Sequence, residues 1–155
     1  MAYFFAYGDR MSTTTMQRHA PHARLVGPAN LAGYRLAFNV RSRSWGGGAA
    51  NALADPRGTL WGVLWEVDET DLAGLDSYRG DDETLRHDLD VDIQGPEGTV
   101  GARSFAVTSH EAFIRPTERY VEMLKANATS QGLPDEAVAA IDRASQGLQG
   151  PAPTI

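Results

Sequence analysis

Four side chains in this sequence have types and placements that could do chemistry. Asp9 and Arg10 follow directly on Gly8, after the apolar run Tyr3-Phe4-Phe5-Ala6-Tyr7, and Met11 closes the corner. A buried strand that runs through glycine into a helix start aims backbone N–H groups at one point, where the helix dipole favours an anion. The same pattern without a ligand is a plain strand–turn–helix, with Asp9 as a cap acid pairing with Arg10. His87, whose unperturbed pKa suits base work near neutrality, stands in the alternating run 85–93 and is expected to face inward. Its competing role is that of a hydrogen-bonded core or rim residue. Tyr120 shares a helical stripe with Leu124 and Ala128, so its phenol either enters a pocket or packs the core. Beside these four, Trp45 leads into Gly46-Gly47-Gly48, a flat ring next to backbone that something can approach closely, and reads as a pocket wall.

What the chain lacks narrows the chemistry further. Its 155 residues contain no cysteine, which removes a thiolate nucleophile, a disulfide framework and a cysteine metal site. The histidines (His19, His22, His87, His110) show no metal-ligand spacing, since His19 and His22 close a short helix with no acid nearby. No metal and no cofactor are expected. A net charge of -6, with Lys125 the only lysine, argues against nucleic acid, which requires a basic patch. The apolar run at 3–7 is too short to span a membrane and there is no signal peptide, so a cytoplasmic location is expected. The 42% hydrophobic and 22% charged fractions are those of a soluble globular chain, large enough for a real core.

The elements that must position these groups follow from periodicity and punctuation. Residues 3–7 read as a strand buried on both faces, and Ser12 as the cap of a helix beginning at Thr13. Residues 23–29 read as a short edge strand limited by Pro28. Tyr34, Leu36, Phe38 and Val40 form the apolar face of the next strand, with Arg35 and Asn39 opposite. Residues 41–48 read as a loop, 49–54 as a small-residue strand, and Asp55-Pro56-Arg57-Gly58 as a tight turn. Thr59–Val67 is the most apolar strand and should be central. Asp68 caps a helix with Asp71 at its third position, Leu72, Leu75 and Tyr78 on one face, and Gly80 at its end. The alternating run 85–93 turns Asp88, Asp90 and Asp92 to water and returns through a hairpin at 94–98. A helix follows from Thr117 to about Gln131, stopped by Gly132, and Pro134 opens a last helix carrying Val138 and Ile141. The sum is a mixed α/β (α+β) domain over 1–146, with a flexible tail at 147–155.

Tyr7-Gly8-Asp9-Arg10-Met11 resembles the Tyr-Gly-Ser-Asn-Leu signature of the γ-glutamylcyclotransferase-like (AIG2-like) family. Further matches keep the family's order: Trp45–Ala50, Leu60–Val67, Leu72–Gly80, Ala102–Phe105, Pro116–Tyr120 and Gly132-Leu133-Pro134, over about residues 3–145. The resemblance implies a small barrel-like mixed sheet flanked by helices, a small-molecule substrate and a homodimer. It also implies a pocket over the Tyr7–Met11 corner in which the substrate's own amine attacks its γ-carbonyl while a glutamate moves the proton. At that glutamate's place stands Arg79, whose guanidinium cannot be a general base. Asp9 and Arg10 replace the signature's Ser-Asn pair, and Phe105 replaces a tyrosine. Such changes amid intact scaffold motifs imply a repurposed pocket. The candidates are then Asp9, Glu83, His87 and Tyr120 for catalysis, and Tyr7, Gly8, Arg10, Met11, Trp45 and Arg79 for substrate binding. For Arg79 the other role is a surface cation at a helix end, and for Glu83 a solvated loop acid. The implied function is a diverged lyase or cyclase acting on an amide-bearing or anionic metabolite. Its lysine-poor, alanine- and arginine-rich composition suggests a bacterial, specialised-metabolism setting. The alternative is a binding protein that kept the pocket and lost the chemistry.

Overall fold

The computed structural model describes residues 2–77, 86–108 and 111–147. Its strands are β1 (Ala2–Ala6), β2 (Arg24–Ser42), β3 (Gly47–Val67), β4 (Arg86–Gly95) and β5 (Gly98–Val107). Its helices are α1 (Thr13–His19), α2 (Glu69–Ser77), α3 (Glu118–Ser130) and α4 (Asp135–Ser145). The strands close into a barrel in the order β1-β3-β2-β4-β5, the mixed α+β architecture the sequence implies. β1 is antiparallel to β3 and meets β5 in parallel at Phe4↔Arg103. Phe4, Phe5, Leu60, Val63, Leu64 and Trp65 are all at most 2% exposed, so β1 and the second half of β3 form the centre of the core. Met16 from α1, Leu75 from α2 and Tyr120, Leu124 and Ala128 from α3 cover it on one side.

Three local expectations change. The separate strands at 23–29 and 31–40 are one strand, β2, and Pro28 pairs with Val63 inside it. Proline fits there because β2 pairs with β4 only at Asn30↔Gln94, which leaves it with the character of an edge strand. The loop at 41–48 shrinks to a turn at 43–46: Arg41↔Gly48 and Ser42↔Gly47 continue the ladder on either side of it.

The third change concerns Asp55-Pro56-Arg57-Gly58, which does not reverse the chain. Both flanking segments of β3 pair antiparallel with β2, Ala32 with Thr59 and Tyr34 with Ala54, so the four residues stand opposite Gly33 alone. The extra length has to bend the hairpin, and Gly33 follows with φ of +87°, which favours glycine. The bend is sharp. Fully extended, the chain from Ala52 to Val63 would run roughly 35 Å, far beyond the reach of a tyrosine side chain. Yet Ala6 pairs with Val63, and the hydroxyl of the next residue, Tyr7, lies 3.2 Å from the Ala52 nitrogen. The outer arm of the β2–β3 hairpin therefore folds back across the mouth of the barrel.

Glycines make that return possible. A Cβ on Gly48 would lie 1.9 Å from the Ile114 carbonyl oxygen, and one on Gly47 would lie 2.8 Å from that of Arg115. The close approach expected of the glycine run is made to the segment leading into α3.

Candidate active site

Ala50 and Ala52 are alternate residues of β3, so their N–H groups point to one edge of the folded-back arm. Gly48 belongs to the same series. Its N–H donates to the Arg115 carbonyl at 3.0 Å, that of Ala50 to the Tyr120 hydroxyl at 2.9 Å, and that of Ala52 to the Tyr7 hydroxyl. Tyr7 in turn donates to the Phe105 carbonyl. Between the two phenols, the Asn51 side chain brackets Val107, accepting its N–H at 2.9 Å and donating to its carbonyl at 3.1 Å. Side chains thus stand where a strand would pair, and they join β1, β3, β5 and α3 at one place.

The two tyrosines differ in one proton. Tyr7 both accepts and donates, so its hydroxyl is committed. Tyr120 accepts from Ala50, and its own proton meets no acceptor among the described residues. It is 4% exposed, packed edge-on against Phe38 with ring centroids 6.0 Å apart and beside Trp45 at 5.0 Å. Burial holds its pKa far above the ordinary phenol range, and the charge of nearby Asp9 adds to the effect. Burial thus disfavours the ionised form, which suits the phenol to donate a hydrogen bond rather than to take up a proton. Trp45 is half-buried, with the Arg119 guanidinium 4.8 Å from its ring centroid.

The Gly8 corner differs from the expected cradle. Asp9–Met11 form a single 3-10 turn, and α1 begins only after Ser12, whose side chain accepts from the Thr15 N–H. The turn is held from the C-terminal end of α3, where its cap residue Gln131 donates to the Met11 carbonyl at 2.7 Å and to the Thr13 hydroxyl at 3.2 Å. No row of helix N–H groups is aimed from Gly8 at one anion, because the 3-10 turn separates the glycine from the helix. Space does open there: a Cβ on Gly8 would meet no atom of the described residues within 4 Å. Asp9 and Arg10 are half-buried, and both bear on His19, whose pKa is lowered first by burial and then by Arg10, with Asp9 opposing. Met11 is 1% exposed and belongs to the core.

His87 does not face inward. It is exposed at the open end of β4, with its Nδ1 2.8 Å from the Thr108 hydroxyl. The alternation predicted for its strand holds beyond it: Asp88, Asp90 and Asp92 are exposed, Leu89 and Val91 half-buried and Ile93 fully buried. Asn39, expected on a polar outer face, is 1% exposed, because the bulge between Phe38 and Val40 and the folded-back arm enclose it. Arg79 and Glu83 lie outside the described residues, as do Tyr78, Gly80, Leu85, His110 and the tail from 148.

His22, expected to have no acid nearby, has two. Asp68 and Asp71, from the start of α2, bring carboxylate oxygens to 3.6 Å from its Nδ1, a grouping that spacing along the chain could not show. The carboxylate of Asp71 is already engaged, accepting the His22 N–H at 2.7 Å, while Asp68 caps the Asp71 N–H. We read the trio as a latch between α2 and the turn after α1. Asp71→Ala should lower the stability to urea by about 2 kcal/mol, since it leaves the His22 N–H without its acceptor. An unchanged unfolding midpoint would refute the latch.

No helix among the described residues is long and apolar enough to cross a membrane. A family model described as AIG2-like family matches residues 59–141. The chain is 28% identical over 138 residues to the gamma-glutamylcyclotransferase of Bos taurus, covering 86% of this chain and 73% of the relative. The Homo sapiens protein of the same name gives the same 28% over 138 residues, with the same coverage. A solved structure of a gamma-glutamyl cyclotransferase shares the fold with a TM-score of 0.84 at 24% identity, over 99% of this chain and 92% of that one.

Proposed function

Because the chain belongs to the AIG2-like, γ-glutamylcyclotransferase-like family, we propose that it is a diverged lyase or cyclase closing a ring on a small amide-bearing or anionic metabolite. The observation that carries this reading is the Tyr120 hydroxyl, a buried donor with an uncommitted proton that accepts from the Ala50 N–H and packs beside Trp45. In such a closure an amine nitrogen of the substrate attacks the carbon of its own amide carbonyl. The carbonyl oxygen takes up the electron pair, and Tyr120 donates to it as the charge develops. The C–N bond to the leaving amine then breaks, and the proton shed by the attacking nitrogen ends on the leaving one. No external nucleophile is involved, and proximity does most of the work because both reacting groups belong to one molecule.

Asp9 is our first choice to carry that proton, since its charge is felt at Tyr120. Glu83 is the second. Arg10 and Arg79 suit recognition of a carboxylate or phosphate by their planar forks.

A thermal-shift panel of γ-glutamyl amides, amino acids, small carboxylates and phosphates, followed over time by mass spectrometry, tests the reading. A stabilising compound that is consumed supports the enzyme. One that binds unchanged, and no longer binds Arg79→Ala, makes the chain a non-catalytic binding protein. Release of 5-oxoproline from γ-glutamyl amides should be feeble in the wild type and rise at least tenfold in Arg79→Glu. No rise would mean that the remaining machinery has diverged too.

A further inference from the structure

Asn39 and Asn51 are each 1% exposed, and their orientation can be read from the backbone outward. Val107 presents both an N–H and a carbonyl to Asn51, which fixes which end of that amide is oxygen and which is nitrogen. The Asn51 nitrogen also donates to Asn39 Oδ1 at 3.0 Å. Reversing the Asn39 amide would set one NH2 group against another, so its own Nδ2 has to face away from Asn51. That nitrogen is buried and meets no acceptor among the described residues. Native proteins rarely leave such a donor unpaired, because its desolvation is then uncompensated. A leucine here would remove the problem and leave the Asn51–Val107 bracket intact. The chain instead holds an amide with its donor end presented.

Its position gives that donor a use. Asn51 stands between Ala50 and Ala52, whose N–H groups engage the hydroxyls of Tyr120 and Tyr7, and Asn39 bonds to it from the bulge in β2, so the amide pair adjoins the arm that carries both phenol contacts. We propose that Asn39 is a ligand-binding residue, its Nδ2 donating to a carbonyl or carboxylate oxygen of the small molecule bound at this mouth. The location and ligand class rest on the function proposed above. An uncharged donor at this point selects for an acceptor oxygen without requiring an anion, and complements the arginines.

The test is a titration of the 15N-labelled wild type with 5-oxoproline, and separately with glutamine, acetate and inorganic phosphate, following the Asn39 side-chain NH2 resonances. Binding to Asn39→Leu is measured alongside. At saturation with 5-oxoproline the Asn39 resonances should move, and Asn39→Leu should bind it at least tenfold more weakly with an unliganded unfolding midpoint no lower than that of the wild type. If 5-oxoproline binds while those resonances stay put, or binds Asn39→Leu as tightly as the wild type, the inference is overturned and the cyclase reading stands. If glutamine, acetate or phosphate moves them and 5-oxoproline does not bind, Asn39 keeps its role and the γ-glutamyl reading falls. Resonances unmoved by the whole panel would overturn the proposal, whatever the variant does.

Discussion

Gly48→Ala should be the most damaging glycine-to-alanine change among the described residues, lowering stability by roughly 3 kcal/mol or more. The added Cβ would sit 1.9 Å from the Ile114 carbonyl oxygen and 2.9 Å from its carbonyl carbon. Both partners are backbone, so no side-chain rotation relieves the overlap. The segment from Ile114 to Thr117 would have to lift, breaking the Gly48–Arg115 bond and straining the bond from the Ile114 N–H to the Phe38 carbonyl. Folded proteins hold only about 5–15 kcal/mol in reserve. Gly101→Ala is the control, because that glycine has φ in the ordinary range and a Cβ added to it would meet no atom of the described residues within 4 Å. Urea unfolding of the two variants should separate them widely. A Gly48→Ala midpoint as close to the wild type as that of Gly101→Ala would disprove the close backbone crossing.

The second large effect is on turnover. Tyr120→Phe keeps the ring against Phe38 and Trp45 but removes the uncommitted proton, and should cut the rate of ring closure about 10²–10³-fold. It also strips the Ala50 N–H of its acceptor, at a stability cost of about 1–2 kcal/mol. The two losses can be separated, because the rate is measured at temperatures where both proteins are folded. Alkaline pH gives an independent check. The phenol's folded pKa is raised above the ordinary value of 10 by burial. Its contribution to stability is therefore complete below pH 10 and is lost as pH rises from there towards the folded value, since only the unfolded chain ionises freely. Tyr120→Phe should flatten that alkaline decline. An activity limb below pH 10 that vanishes in Tyr120→Phe would show the phenol acting as a base rather than as a neutral donor.

The parts of this fold that could be read from sequence are those governed by near neighbours. The stripe of Tyr120, Leu124 and Ala128, the stop at Gly132 and the hairpin at 94–98 all depend on residues a few positions apart, and each stands where periodicity put it. Asp55–Gly58 carries good turn chemistry, but pairing with β2 on both sides overrode it and made it a bend. His87 obeys the right alternation at the wrong end of its strand, where the barrel no longer covers it. The site was legible in part. Tyr7, Trp45 and Tyr120 stand out in the sequence, and in the structure Tyr7 and Tyr120 accept N–H groups of the folded-back arm while Trp45 packs on Tyr120. Asn51 and Asn39 do not, because an asparagine within a strand carries no sign that backbone 56 residues away will take its amide. The same distance hid the meeting of His22 with Asp68 and Asp71.

The bend opposite Gly33 also sets an order on how the chain comes together. The Asn39–Asn51 bond closes a loop of 12 residues within one hairpin, whereas the bond from Tyr7 to Phe105 closes one of 98. Three doublings of loop length add roughly 2 kcal/mol of closure entropy. The β2–β3 ribbon can therefore form early and by itself, while the phenol seam waits for β1, β5 and α3 to arrive. By this accounting the seam of the two phenols is the last part of the described fold to assemble.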